Sequence, residues 1–276
     1  MRVLITGANG YIGQGIVERF DKQYNEIIAT DIQLSHQYDE VINIETDLFQ
    51  CDNPYETFLK PDSIIHLAWR NGFEHNALSH IKELPLHYEF IRKMVQGGAK
   101  NVCILGSMHE IGFYEGSIDE STPTNPQSLY GISKNALRQS VELLQKEYDF
   151  YLKWIRGFYI VGNTEHGCSV FSKITQAEQR GEKKFPFTSG KNQFDFIDYD
   201  TFCRQVIAVC CQNEETGIIN CCSGNPVRLG DRAERFICEN HYHIELDYGK
   251  FPDRPYDSKA VWGNNAKISK IMTEIS

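Results

Sequence analysis

Thr6-Gly7-Ala8-Asn9-Gly10-Tyr11-Ile12-Gly13 is the stretch on which the fold turns. It follows the apolar run Arg2–Thr6 and opens an amphipathic segment over Tyr11–Asp21, so three glycines lie between a strand and a helix. Gly7 allows a tight turn, Gly10 lets the backbone approach a phosphate, and Gly13 lets the helix close on the strand. The N–H groups that open the helix then face an anion. The spacing is Gly-x-x-Gly-x-x-Gly, and a glycine turn alone is a weak nucleotide signal. Its surroundings strengthen it. Asp31 ends the second apolar run, Glu26–Thr30, where an acid would bind an adenosine ribose 2′-hydroxyl. No arginine follows in Asp31-Ile32-Gln33-Leu34-Ser35 to welcome a 2′-phosphate, which favours NAD(H) and leaves NADP(H) as second choice.

Outward from this loop, short β-branched runs alternate with amphipathic stretches. Strands are expected at Glu40–Ile44, Ser63–Leu67, Asn101–Leu105 and Leu152–Arg156, with helices over Glu74–Gly97, bending at Pro85, and Tyr130–Tyr148. Apolar strands without alternation imply an α/β fold with a parallel sheet covered on both faces. Past Gly162 the character changes to a polar loop, a helix over Val170–Arg180 and a basic stretch over Gly181–Asn192. Strands at Phe194–Ile197 and Ile218–Cys222 and a helix over Thr201–Gln212 follow, then a proline-bearing tail. The expected division is a nucleotide-binding domain over 1–162, to which about 194–222 returns, and a smaller substrate lobe made mainly of 163–276.

Composition narrows the function. The chain has 276 residues, 41% hydrophobic and 24% charged, which suits one large or two small soluble domains. Its 28 basic and 37 acidic residues give a net charge of -9, a field that disfavours nucleic acid. No apolar run approaches membrane-span length, and the opening MRVLITGANG lacks a leader layout, so a cytoplasmic protein is expected. The nine cysteines at 51, 103, 168, 203, 210, 211, 221, 222 and 238 contain no Cys-x-x-Cys pair. They are expected to be reduced, mostly buried thiols, and no metal site is expected.

Tyr130-Gly131-Ile132-Ser133-Lys134 is the second signal. On a helix, positions i and i+4 share a face, so phenol and ammonium can converge. A free tyrosine titrates near ~10, too high for efficient proton transfer at neutral pH, and a neighbouring lysine would pull that value down. The same ammonium could hold ribose hydroxyls.

These residues together resemble the extended short-chain dehydrogenase/reductase family of nucleotide-sugar epimerases, dehydratases and reductases, almost end to end. The resemblance implies a Rossmann-type doubly wound sheet and a cofactor site built from Gly7, Asn9, Gly10, Tyr11, Ile12, Gly13 and Asp31. Asp47 and Leu48 resemble the adenine contacts, and His66-Leu67-Ala68, with Trp69 after it, the stretch beneath the riboses. Phe158, in Arg156-Gly157-Phe158-Tyr159-Ile160-Val161-Gly162, resembles the turn against nicotinamide. Tyr130 and Lys134 match the catalytic pair. Phe194 through Asp200 and Asn220 through Gly224 look like later family signatures. The resemblance also implies a homodimer through the segments Glu74–Gly97 and Tyr130–Tyr148.

The departures bear on the chemistry. In Leu105-Gly106-Ser107-Met108-His109-Glu110-Ile111, aligned on Glu110, the family's usual hydroxyl falls on Met108, which cannot polarise a carbonyl. Ser107, one residue earlier, is the favoured replacement; the other routes are a water, or a Ser107 that only caps the strand end. The Asp-Glu pair of the family's 4,6-dehydratases is His109-Glu110 here, and the chain is short for a dehydratase. Met108 and His109 are therefore expected to face substrate, His109 as acid–base group or pocket wall. A diphosphate needs cations. Arg180, Lys183, Lys184, Arg228, Arg232, Arg235 and Arg254 are available, and Arg254-Pro255-Tyr256-Asp257-Ser258 resembles the diphosphate-binding segment. Arg232 and Lys184 are expected on the solvated surface. The expected activity is NAD(P)H-dependent reduction of the 4-keto group of a dTDP-, GDP- or CDP-linked 4-keto-6-deoxyhexose, as in deoxysugar and surface-polysaccharide synthesis. The alternatives are a nucleotide-sugar epimerase or a non-catalytic NAD-binding regulator.

Overall fold

The apolar runs become interior strands of one seven-stranded sheet. The structure, a computed structural model, describes residues 1–23, 25–162, 169–253 and 258–275. The first half runs β1 (Arg2–Thr6), α1 (Tyr11–Arg19), β2 (Glu26–Asp31), β3 (Ile42–Glu45), α2 (Pro54–Thr57), β4 (Ser63–His66), α3 (Ser79–Gly97), β5 (Asn101–Ser107), β6 (Gly116–Ile118) and α4 (Leu129–Leu144). Next come β7 (Tyr151–Gly157), β8 (Tyr159–Val161), α5 (Val170–Gln179), β9 (Lys184–Pro186), β10 (Gln193–Asp198), α6 (Tyr199–Cys210) and β11 (Gly217–Cys221). The chain ends with β12 (Pro226–Arg228), α7 (Leu229–Glu239), β13 (Glu245–Asp247), β14 (Ala260–Gly263) and α8 (Ala266–Ile275).

The central order is β3-β2-β1-β4-β5-β7-β11, all parallel. Strand order reverses between β1 and β4, the switch point where such sheets open a crevice at their C-terminal ends. One face is covered by α1, α6 and α8 through Ile16, Val17, Phe202, Val206, Ile268 and Ile271. The other is covered by α3 and α4 through Phe90, Met94, Leu137 and Val141. No helix among the described residues is long and apolar enough to cross a membrane.

A second sheet, β12-β10-β14-β6 with β8 beside β10, surrounds a separate aromatic cluster that includes Phe171, Phe194, Phe196 and Phe236. Its strands come from both halves of the chain. Asp195, fully buried, holds it together by accepting from Ser223 N at 2.8 Å, Ser223 Oγ at 2.6 Å, Gly224 N at 2.9 Å and Gly263 N at 3.0 Å. Arg232 is not the solvated charge expected. It is 7% exposed, pairs with Asp198 at 3.0 Å and Glu239 at 3.3 Å, and lies over Phe171. Helix α7 turns it inward, beside Ala233 and Phe236. Lys184 is exposed in β9.

One element boundary differs from expectation in a way that shapes the site. The helix expected from Glu74 begins at Ser79, because 71–77 folds into turns, Glu74 N bonding to Asn71 O and Ala77 N to Glu74 O. The freed groups cap α4: Leu129 N donates to Asn76 Oδ1 at 3.2 Å and Tyr130 N to His75 O at 2.8 Å. Helix α3 also continues through Pro85, where the lost bond falls to the Ile81 carbonyl; both residues are exposed to water. Of the cysteines described, Cys103, Cys203, Cys210, Cys221 and Cys222 are buried, Cys51 half-buried, and Cys211 and Cys238 exposed.

Candidate active site

The glycine loop is built as a cradle. Gly7 has φ +70°, and a Cβ there would stand 2.7 Å from Ala68 N; one on Gly13 would stand 2.0 Å from Gly7 O. Side chains at either position would push the loop off β4 or lift α1 from the strand. Thr6 Oγ1 accepts from Leu67 N at 3.2 Å and Ala68 N at 3.3 Å and bonds with His66 Nδ1 at 2.9 Å, clipping the ends of β1 and β4 together. Between them opens a cleft with about 600 Å³ of free space, lined by Gly7, Gly10, Asp31, Asp47, Leu48, Leu67, Ala68 and Trp69. Eight expected cofactor residues thus meet in one place.

Asn9, Tyr11 and Ile12 serve the cleft's frame. Asn9 N and Ile32 N donate to Asp31, at 3.0 and 2.8 Å, so the carboxylate both faces the cleft and fixes the loop. Asn9 Oδ1 accepts from Ser35, and the Tyr11 hydroxyl donates to Gly162 O at 2.7 Å. Ile12 packs on the core beneath. Phe158 is buried in the cluster of the second sheet together with Met108, which is 7% exposed. Packing there leaves little of Met108 for a ligand. Arg254 lies outside the described residues.

The cleft also has walls not anticipated from sequence. Phe49, Arg70, Glu83 and His87 line it, Arg70 and Glu83 pairing at 3.4 Å. Arg70, remote from Asp31 in sequence, lines the same cleft, and its charge is engaged by Glu83.

Beyond Trp69 stands Tyr130. Ser128 caps α4, accepting from Gly131 N at 3.2 Å, and Gly131 lets the helix approach the His109 carbonyl, to which a Cβ would come within 2.4 Å. Tyr130 therefore meets the segment after β5. The Ser107 hydroxyl lies toward its phenol and acts to lower the phenol's proton affinity. The Ser107 hydroxyl also accepts from His109 N at 3.2 Å, so one oxygen caps the turn Met108–Glu110 and reaches the phenol. Around the Tyr130 ring lie His75, stacked at 5.5 Å, His80 at 5.3 Å, His109 at 6.1 Å and Trp69 at 6.2 Å. His75 and His80 escaped the sequence reading. His80 and His87 are two helical turns apart, which places both on one face of α3 and was the available signal. His75 gave none, because a turn positions it.

Burial sets the electrostatics. It pushes the Tyr130 phenol up to about 12, with Ser107 drawing it back and Glu110 adding to the rise. The downward pull was expected from Lys134; in the fold it comes from Ser107. Lys134 is 2% exposed, donates to Leu105 O at 2.7 Å, and lies 3.8 Å from the Trp69 ring centroid but 5.9 Å from that of Tyr130. Burial lowers it to about 7, opposed by Glu110. Burial and the neighbouring His75 hold His109 at about 4, a neutral imidazole at neutral pH. Glu110 points away from this face. Fully buried, it accepts from Ser107 N at 2.6 Å and Trp154 Nε1 at 2.9 Å and lies 3.7 Å from Arg156 Nε.

Residues 3–222 match the model of the NAD dependent epimerase/dehydratase family. The chain belongs to this family. As a family enzyme it is 37% identical over 269 residues to a dTDP-6-deoxy-L-talose 4-dehydrogenase (NAD(+)) of Aggregatibacter actinomycetemcomitans, covering 95% of this chain and 99% of that one. Among solved structures, a UDP-N-acetylglucosamine 4-epimerase from Methanobrevibacter ruminantium M1 superposes with TM-score 0.84 at 20% identity, over 98% of this chain and 91% of that one. A UDP-glucuronic acid 4-epimerase from Bacillus cereus, solved with UDP-glucuronic acid and NAD, gives 0.82 at 17% identity over 99% and 93%. Both share the fold.

Proposed function

We propose that this enzyme interconverts a ketone and an alcohol at C4 of a nucleotide-linked 6-deoxyhexose, with NAD(H) as redox partner. The observation that carries the reading is the placing of Tyr130 against Trp69 of the cleft wall that also holds Asp31, with Ser107 acting on its phenol and Lys134 5.9 Å from its ring centroid. The end-to-end relative, a 4-dehydrogenase of a dTDP-6-deoxysugar, supports both the position and the sugar class. Dehydrogenation and reduction are one reaction read in two directions.

The cleft suits a dinucleotide. The Gly7–Gly13 cradle would take the pyrophosphate, the Asp31 carboxylate the adenosine ribose hydroxyls, Asp47 and Leu48 the adenine, and Lys134 the second ribose. Asp31 repels a 2′-phosphate, which supports NAD(H) over NADP(H). The bound nicotinamide supplies or accepts the hydride. Tyr130 gives a proton to the C4 oxygen in reduction and takes it back in oxidation, while Ser107 orients that oxygen through the shared hydrogen-bond system. Met108 has no hydroxyl to contribute, and Ser107 stands in for it. His109, neutral and paired with His75, forms a wall.

With NADH, the purified enzyme is expected to reduce at least one of the dTDP-, GDP- or CDP-4-keto-6-deoxyhexoses, and less efficiently with NADPH. Failure with all three sinks the reading, and tightly held NAD without net turnover makes the enzyme an epimerase instead.

The pH dependence follows. Reduction needs the Tyr130 phenol protonated, which holds up to about 12, and the Lys134 ammonium, which is lost above about 7. Its rate is expected to be flat below about pH 7 and then to fall roughly tenfold per pH unit. Oxidation needs the phenolate with the ammonium, so it should rise to about pH 7 and level off. Initial rates in both directions between pH 5.5 and 9 test this; a reduction rate constant up to pH 9 contradicts it.

A further inference from the structure

The half-buried indole of Trp69 occupies an unusual place. One face meets the Lys134 ammonium, 3.8 Å from the ring centroid, while the ring lies parallel to His87 at 4.3 Å and 13°. Its Nε1 donates to His80 Nδ1 at 3.0 Å, and His80 Nε2 bonds with Glu74 O at 3.0 Å. His87 is fixed in turn by His66 at 2.9 Å, and His66 by Thr6. A chain of imidazoles from β4 and α3 thus locks the indole plane, and the same residue walls the nucleotide cleft.

Lys134 needs such a partner. Its ammonium is buried with a hydrogen bond to the Leu105 carbonyl. Among the described residues, the charged and titratable groups around it give it no direct counterion. Glu110, from the turn after β5, is engaged by Ser107 N, Trp154 and Arg156 and acts only at a distance. Tyr130, on its own helix, is a protonated phenol. His66 from β4 and His87 from α3 are both kept neutral by burial, Lys134 contributing to that. An indole face is the strongest aromatic acceptor for a cation, and more so away from water.

We propose that Trp69 is a positioning residue whose π face keeps the Lys134 ammonium charged and fixed beside Tyr130 at the inner end of the cofactor cleft. This rests on the functional reading only for its consequence in catalysis; the contact itself is independent of substrate. Cofactor occupancy and the charge of the catalytic lysine are then linked through one side chain.

The test follows the lysine itself. In protein labelled with ¹³C-lysine, the Lys134 signal, assigned by its loss in Lys134→Met, is titrated by NMR in the absence of cofactor and sugar. Trp69→Leu is expected to lower the midpoint by about one pH unit, while Trp69→Phe, which keeps an aromatic face, holds it closer to the wild type. The alkaline break in the reduction rate should move down with it, a change that loss of packing alone would not produce. A Trp69→Leu midpoint equal to wild type overturns the proposal. If that variant does not fold, the wild type still decides. The indole Nε1 resonance of Trp69 should titrate with the Lys134 midpoint, and its indifference to that midpoint overturns the proposal equally. A lysine shift without keto-sugar reduction would sink the functional reading alone; reduction without the shift would sink only the role of Trp69.

Discussion

Tyr130→Phe is expected to lower the turnover of the 4-keto sugar by about 10²–10⁴-fold, the range of a positioned acid–base group. The ring would stay, and with it the packing against His75, His80, His109 and Trp69. What is lost is the phenol oxygen, the group proposed to exchange a proton with the C4 oxygen of the sugar. Thermal stability should therefore change little, since a single hydrogen bond is worth about 1 kcal/mol net. Cofactor affinity, set by the cleft, should also survive. Single-turnover reduction beside a fluorescence titration with NADH separates the two. Residual turnover within tenfold of wild type would remove Tyr130 from the chemistry.

The second large effect is structural. Glu110→Leu is expected to destabilise the protein by about 3–5 kcal/mol, the usual cost of leaving one half of a buried ion pair. Arg156 is fully buried, and its Nε and Nη2 have no hydrogen-bond partner among the described residues; the Glu110 carboxylate is its counterion at 3.7 Å. The substitution would also strand Trp154 Nε1–H and Ser107 N–H. Glu110→Gln should cost less, because an amide oxygen can still accept from both. Urea unfolding of the two variants checks the order. A loss below about 1 kcal/mol for Glu110→Leu would mean that Arg156 finds compensation elsewhere. The same geometry turns the Glu110 carboxylate under the site to hold Ser107 N, while burial keeps the His109 imidazole neutral.

Much of this was legible in the chain itself, for a definite reason. The glycine loop, Asp31 and the Tyr130–Lys134 spacing act over a few residues, so backbone sterics and helical period determine their placement locally. The unalternated strands reveal a sheet buried on both faces before any contact is known. What only the tertiary structure decided are matters of distance between remote segments and of burial. The turn at 71–77 brings His75 to Tyr130 because α4 needs its first N–H groups bonded. Arg232 goes inside because two acids and Phe171 receive it. Met108 disappears into apolar packing while Ser107 reaches the phenol. Lys134 finds the face of Trp69, and desolvation, a property of the whole surroundings, sets the proton affinities of Tyr130 and Lys134. Sequence spacing could bring the phenol and ammonium to one face; only the packed interior determined which neighbour each would meet.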